Sequence, residues 1–488
     1  MEKSSITRGL AWKLLERFGV HGIQFVLQII LARLLDPAHY GALSLMIIFA
    51  TLANVFIQNG FNTALIQNKD TSDEDFSSVF WITLLIAVGL YGGLYFAAPL
   101  IAQFYEMPEI VSPFRVLTLI LLPGAFNSIQ LAKVSREMNF RKVFFGNISG
   151  IIVSGTAGVV IAFLGGGLWA LVAQSLLGSV VPCMVMWFTV RFRPKLVCNL
   201  VRVKVLFRFG WKLLVSSLID TLYQDLRSLV IGKKYDAGTL GYYNRGKQFP
   251  QLIINSVNSS VVSVMLPAMS QKQSDPAALK SMMRRSISIS AYVIFPMMAG
   301  LAGVSVPLVT LLLTEKWLPC VPYLIIYCVT LAFYPVHSCN LQAINAMGRS
   351  DLFLKLELIK KSYGIVALVI AVFCFESPIA IALTGIITTV ISCFVNAYPN
   401  RKLVGYSYRQ QMADILPTLL LSAAMGVAVW SVLLLGLSNL VTLLIQIPLG
   451  ILIYLFGSWL FKMESFTYLL TMIKGYLKRK NSKKQNDA

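Results

Sequence analysis

Long apolar runs, broken by short polar loops, fill the chain from Gly9 to Lys462. A helix needs about 20 apolar residues to cross a bilayer, and runs of that size predict about fourteen transmembrane helices. They lie near 12–34, 41–66, 77–102, 111–134, 143–164, 167–190, 211–232, 242–269, 283–312, 320–347, 353–375, 378–398, 411–436 and 439–461. The period-two alternation of a membrane barrel is absent. Polar residues inside 12–34 and the lack of a small-residue cleavage site make that segment a retained span rather than a signal peptide. The expected fold class is an all-α integral membrane protein.

The pattern repeats. Trp12-Lys13-Leu14-Leu15 is followed by Asp36 and Gly41, and Trp211-Lys212-Leu213-Leu214 by Asp236 and Gly241. Trp and Asp are 24 residues apart in one copy and 25 in the other, and Asp and Gly are 5 apart in both. A weaker echo links Gln130 and Lys142 with Gln342 and Lys355. Internal duplication in a membrane chain marks transporter folds, whose sites form between repeats. Six predicted spans precede the second copy, so both copies start on the same side and the repeats are parallel. The expected organisation is an N-lobe at 1–190 with spans one to six and a C-lobe at 211–402 with spans seven to twelve. A cytoplasmic interfacial linker at 191–210 joins them. Two extra spans at 403–462 and a basic cytoplasmic tail at 463–488 follow. In the linker, Leu196, Leu200, Val203 and Phe207 follow helical spacing with Lys195, Arg202, Lys204 and Arg208 between them, as in a helix lying in the membrane interface.

Polar residues within spans are costly and point to function. Span one carries Arg17, His21, Gln24 and Gln28, spaced 4, 3 and 4, on one helix face. The corresponding part of span seven has Ser216, Asp220, Tyr223 and Arg227, with Gln224 beside them. Span eight carries Asn244, Gln248, Gln251, Asn255 and Asn258. Asn54, Gln58 and Asn62 lie on span two, Asn127 and Gln130 on span four, and Ser338, Gln342 and Asn345 on span ten. Matched polar faces on both lobes predict a hydrated cavity between them. The alternative for any single amide is a hydrogen bond between neighbouring helices.

Composition agrees: 57% of residues are hydrophobic and 13% charged, against about 25% charged in soluble domains, and mean hydropathy is +0.71. The net charge of +21 invites a nucleic-acid partner, but its placement argues otherwise. Most Lys and Arg fall on alternate loops, the exceptions being Arg33, Arg115, Arg227, Lys233, Lys234, Arg245, Lys247 and Lys316. This positive-inside pattern puts both termini in the cytoplasm. The 7 Cys and 3 His are scattered without a CxxC, so neither a metal site, a disulfide framework nor a cofactor is expected. Gly165-Gly166-Gly167 reads as a turn, and Gly146, Gly150, Ser154 and Gly158, each four apart, as a close helix contact.

The expected cavity is cationic. Arg17, Arg33, Arg115, Arg227, Arg245 and Lys247 are the candidates to face it or its mouth, with Glu16, Asp220 and Asp225 as the main acidic counterweights. Guanidinium forks bind phosphate in two-point fashion, and amides match sugar hydroxyls, so the set suits a large polyol bearing phosphate. Candidate substrate contacts are Arg17, His21, Gln24, Gln28, Asn54, Gln58, Asp220, Gln224, Arg227, Asn244, Arg245, Lys247, Gln248, Gln251 and Asn255.

The segment Leu31-Ala32-Arg33-Leu34-Leu35-Asp36-Pro37-Ala38-His39-Tyr40-Gly41 resembles the first-loop signature of bacterial oligosaccharide flippases, the polysaccharide transporter family. Arg136-Glu137-Met138-Asn139-Phe140, Leu240-Gly241-Tyr242-Tyr243-Asn244-Arg245 and Leu266-Pro267-Ala268-Met269-Ser270 support the likeness, which looks most like the colanic-acid exporter type. The resemblance implies two six-helix lobes plus two helices, as in the multidrug/oligosaccharidyl-lipid/polysaccharide superfamily. It implies movement of an undecaprenyl-pyrophosphate-linked sugar repeat unit across the inner membrane. An enzyme, such as a polysaccharide polymerase or ligase, is not expected, because the outside loops are too short and too poor in acid/base residues. Lipid-linked oligosaccharide, membrane lipids and other polysaccharide-assembly proteins are the implied partners, and a monomer suffices because two lobes already form a cavity. The competing reading is a cation-coupled multidrug antiporter of the same superfamily. It needs carboxylates in the pocket, and Asp220 and Glu16 are the ones available.

Overall fold

The computed structural model describes residues 19–58, 65, 72–137, 140–190, 192–197, 199–273, 275–472 and 474. Among these every regular element is helical. The chain falls into two compact units, Met1–Asn244 and Arg245–Ala488.

In the first unit α1 spans His21–Leu34, α2 Pro37–Gln58 and α3 Asp73–Phe104. Short turns lead into α4 (Val111–Leu117) and α5 (Leu121–Glu137), followed by α6 (Phe140–Phe163), α7 (Leu168–Thr189) and α8 (Leu200–Lys234). Helix α9 (Ala237–Ser270) begins here and carries the boundary between the units. Local chemistry explains the starts. Ser72 accepts from the Asp75 N–H and Asp75 accepts from the Ser72 N–H, at 3.3 and 3.0 Å. This reciprocal cap satisfies two exposed donors of α3, and Asp73, Glu74 and Asp75 complement its positive end. Gly165 and Gly167 turn the chain at φ +80° and +51°. The small-residue stripe of α6 packs directly on α7: a Cβ on Gly150 would sit 2.5 Å from the Pro182 ring, and one on Gly158 3.1 Å from Gln174.

The second unit continues with α10 (Pro276–Gly303), α11 (Ser305–Leu313), α12 (Val321–Ala332) and α13 (Tyr334–Ala346). Then come α14 (Ser350–Cys374), α15 (Pro378–Leu403), α16 (Tyr408–Ser431), α17 (Asn439–Leu460) and the last helix of the described residues, α18, at 464–472. Asp275 and Ser377 cap α10 and α15, each just before a proline at the first helical turn. Helices α10, α16 and α17 share a core of Tyr292, Met425, Val429, Leu443 and Tyr454. Gln446 is held in it by donating to the Val429 carbonyl at 2.8 Å.

Ten helical stretches of the described residues are long and apolar enough to cross a membrane, so the protein is a multi-pass membrane protein. The other expected spans, α1, α8, α9 and α14, are also helical: α1 is apolar but short, and α8, α9 and α14 carry polar stripes or charges. Of α1, only 14 residues form the helix, and its expected beginning lies outside the described residues. The linker differs from expectation. Residues 192–197 are not helical; the Lys195 and Asn199 N–H groups donate to Ser77 and Ser78 hydroxyls at 3.1 and 2.9 Å, and Trp81 donates to the Lys195 carbonyl at 2.9 Å. These bonds pin the segment to the first turns of α3, and the helix that follows runs from Leu200 straight through the expected seventh span.

Candidate functional site

The duplicated motif places its two glycines together. A Cβ on Gly41 would lie 1.7 Å from the Ala237 carbonyl oxygen, and one on Gly241 2.0 Å from the Pro37 carbonyl oxygen. The first turns of α2 and α9 thus cross backbone to backbone, each helix offering its glycine to the other's first residue. Asp236 caps α9, accepting from the Thr239 N–H at 3.1 Å and from its hydroxyl. Beside the crossing, Lys233 of α8 pairs with Glu106 at 2.8 Å and lies 5.0 Å from the Phe104 ring centre. The Lys233 hydrogen bond and charge hold the Glu106 carboxyl below its usual range.

The remaining candidates of the first unit sit on several helices. On α1, Gln24 is exposed and Gln28 half-buried. Arg17 lies outside the described residues, as does the side chain of His21, whose backbone starts α1. On α2, Gln58 is exposed, whereas Asn54 is half-buried with Oδ1 turned toward Gly124 of α5. On α8, Gln224 is exposed and Asp220 and Arg227 are half-buried. Asn244 accepts from the Ser228 hydroxyl at 3.1 Å, which ties the start of α9 to α8.

In the second unit α9 presents two different faces. Arg245 is 6% exposed, 5.2 Å from the Trp317 ring centre, and donates to Gln248 at 2.6 Å. Its neighbour Gly246 lets the helix touch Cys320 and Tyr323. Arg245 and Gln248 therefore anchor α9 to the turn carrying Trp317. Lys247, 6.0 Å from the Tyr327 ring centre, and Gln251 are half-buried. Gln251 donates to Asn255 at 2.9 Å, and Asn255 is exposed. These three form the accessible polar face.

Two features were not anticipated. One is a buried amide seam. Asn340 of α13 donates to Gln411 of α16 at 2.7 Å, and Asn400 of α15 donates to the Asn340 side chain at 2.7 Å. Asn396, one turn from Asn400, donates to or accepts from the His337 ring at 3.3 Å. The four-residue spacing of Asn396 and Asn400, across the end of expected span twelve, was the available signal. The other feature is an apolar cavity of about 440 Å³ bounded by Ile253, Pro296, Gly300, Met425, Gln446 and Tyr454. Of the other predicted polar residues, Gln130 is buried and reaches the Phe192 carbonyl at 3.5 Å, and Ser338 is buried, so both serve packing.

A family profile described as "Polysaccharide biosynthesis protein" matches residues 30–322. The succinoglycan biosynthesis transport protein ExoT of Rhizobium meliloti is 26% identical over 64% of this chain and 63% of its own length; this chain thus spans less than two thirds of that relative. The lipopolysaccharide biosynthesis protein WzxC of Escherichia coli is 26% identical over 86% of this chain and 87% of its own. A solved structure titled lipid II flippase MurJ, in an inward closed conformation, aligns with a TM-score of 0.74 and 16% identity, covering 93% of this chain and 98% of that one. At that identity the likeness speaks for the fold, and it fits the long, helix-only architecture. With more than half its residues inside the matched segment, this chain belongs to the polysaccharide biosynthesis protein family.

Proposed function

We propose that the protein is a flippase that carries a lipid-linked oligosaccharide repeat unit from the cytoplasmic to the periplasmic leaflet of the inner membrane. The lipid carrier is undecaprenyl pyrophosphate, and the product feeds exopolysaccharide of the colanic-acid kind or O-antigen. Its relatives are transport and biosynthesis proteins, so it is a transporter and not an enzyme. The reading keeps fourteen spans, with both termini cytoplasmic, two lobes (1–190 and 211–402) joined by 191–210, two extra spans and a basic tail. It acts as a monomer by alternating access.

The observation that carries it is the polar face of α9, where Lys247, Gln251 and Asn255 stay accessible inside a chain that is otherwise apolar. Amides in hydrated positions match sugar hydroxyls, and a lysine matches phosphate. Within the first unit, Gln24, Gln58 and Gln224 are exposed amides as well. The apolar cavity between α9, α10, α16 and α17 supports the lipid half of the substrate, since it offers a dry surface for an acyl or prenyl chain.

The test is reconstitution in proteoliposomes with a lipid-linked pyrophosphoryl oligosaccharide, followed by impermeant labelling of sugars exposed on one leaflet. Protein-dependent exposure of the hidden pool, reduced in a Lys247→Ala/Asn255→Ala variant, is expected. No transfer, together with efflux of a cationic dye dependent on Asp220, would favour the multidrug antiporter instead.

A further inference from the structure

A second pocket lies far along the chain from the polar face of α9. It measures about 330 Å³ and is bounded by Ser281, Arg284, Arg285 and Ser288 of α10 and by Glu464, Ser465 and Tyr468 of α18. The volume equals that of about ten liquid waters, too much for one ion and enough for a small polar headgroup. Its two arginines are not equivalent. Arg284 is committed: it meets the Asp414 carboxylate at 2.8 and 3.0 Å, and Glu464 acts on the same guanidinium. The second Asp414 oxygen accepts from the Tyr406 hydroxyl at 2.7 Å. Arg285 instead stacks on the Tyr468 ring, 3.6 Å from its centre, and meets no carboxylate among the described residues. Stacking fixes the plane of the guanidinium and leaves its in-plane N–H donors unused. The hydroxyls of Ser281, Ser288 and Ser465 also make no hydrogen bond among the described residues.

We propose that this pocket binds the phosphate of a membrane phospholipid, with Arg285 as the charged partner and the three serines as neutral donors. A rigid guanidinium and converging hydroxyls suit a phosphate oxygen set. The neighbourhood selects a lipid over a free ion. Helix α17 leads to the pocket with Leu452, Leu455, Phe456 and Trp459 exposed on one face and Phe461 exposed just past its end, a surface suited to acyl chains, and α18 follows after a short turn. A headgroup held here would brace α10 against α18 at the edge of the bilayer.

Native mass spectrometry of the full-length chain in detergent tests the assignment. The chain is titrated separately with phosphatidylglycerol and with a diacylglycerol of the same acyl chains, and inorganic phosphate is added as competitor. One tightly held phosphatidylglycerol per chain is expected, with affinity about tenfold lower in Arg285→Ala, the loss of one charge-assisted contact. Lys474→Ala, outside the pocket, should leave it unchanged. Ser281→Leu, at an exposed position, fills the pocket without touching either arginine and should weaken binding in a chain that still elutes as one folded species; it decides the matter if Arg285→Ala does not fold. Equal binding by Arg285→Ala and Ser281→Leu, or equal binding of diacylglycerol, overturns the proposal. Full displacement by millimolar phosphate would make the ligand a free anion and overturn the lipid assignment.

Discussion

Gly41 and Gly241, equivalent positions of the duplicated motif, meet at the crossing of α2 and α9, where a Cβ on either would overlap a backbone carbonyl of the other helix at 2.0 Å or less. No side-chain rotation relieves such a contact, so the helices themselves must move apart. Gly41→Ala and Gly241→Ala should each cost about 1–3 kcal/mol, the range for overpacking. The double variant should cost less than the sum, because one separation serves both. Thermal unfolding of the detergent-purified variants measures this, and strict additivity would show the two glycines to be independent.

The ion pair beside this crossing gives a pH dependence of defined sign. The folded Glu106 carboxyl lies below its usual range because Lys233 bonds it. Its contribution is therefore present above the ordinary carboxylate range and disappears as pH falls through the lowered folded value. Wild type and Glu106→Gln should differ in unfolding midpoint by a constant amount between about pH 6 and 8 and converge in acid. Since Glu106 is largely and Lys233 partly exposed, the difference should also shrink in high salt. A gap that widens in acid would contradict the pairing.

Arg245 and Asn255 share a helix but not a role. Arg245 is buried on Trp317 and bonded to Gln248, so Arg245→Ala should lower stability by about 2 kcal/mol or more through lost stacking and packing. Asn255→Ala, at an exposed position, should change stability by less than about 0.5 kcal/mol yet reduce transport. Measuring unfolding and leaflet transfer on the same preparations separates the two. Transport loss in Arg245→Ala alone, with unchanged stability, would return Arg245 to the substrate.

The amide seam is a third case. Asn340 bonds both Gln411 and Asn400 in a fully buried setting. Asn340→Leu strands two partners and should destabilise by about 1–3 kcal/mol, with transport falling only in proportion to folded protein. Wild-type stability in this variant would mean the seam contributes nothing to packing.

How far these features were readable differs from one residue to the next. The apolar segments and the Trp–Asp–Gly duplication were visible because hydropathy and spacing accumulate along the chain itself. The spacing of Gly146, Gly150, Ser154 and Gly158 also announced a close contact, and α7 is the helix it meets. The pairing of Gly41 with Gly241 was not visible, although both were noted, since a repeat says that two positions are alike and not that they touch.

Amides were the hardest to read. Gln130 and Asn340 are buried between helices, while Gln251 and Asn255 are half-buried and exposed on α9. All stand in helices at similar spacing, and helical period alone is the same whether a face meets water or a neighbour. Arg245 was assigned to a cavity from its polar neighbours in sequence, but Trp317, distant along the chain, folds against it and takes its charge out of reach. Arg284 and Arg285 are adjacent, yet one is spent on Asp414 and the other lies on Tyr468. The order of residues thus specified a duplicated, many-helix membrane protein of this family, because bilayer insertion is read off local apolarity. Which polar groups remain available for a ligand depended on partners brought together from distant helices, and that is a property of packing alone.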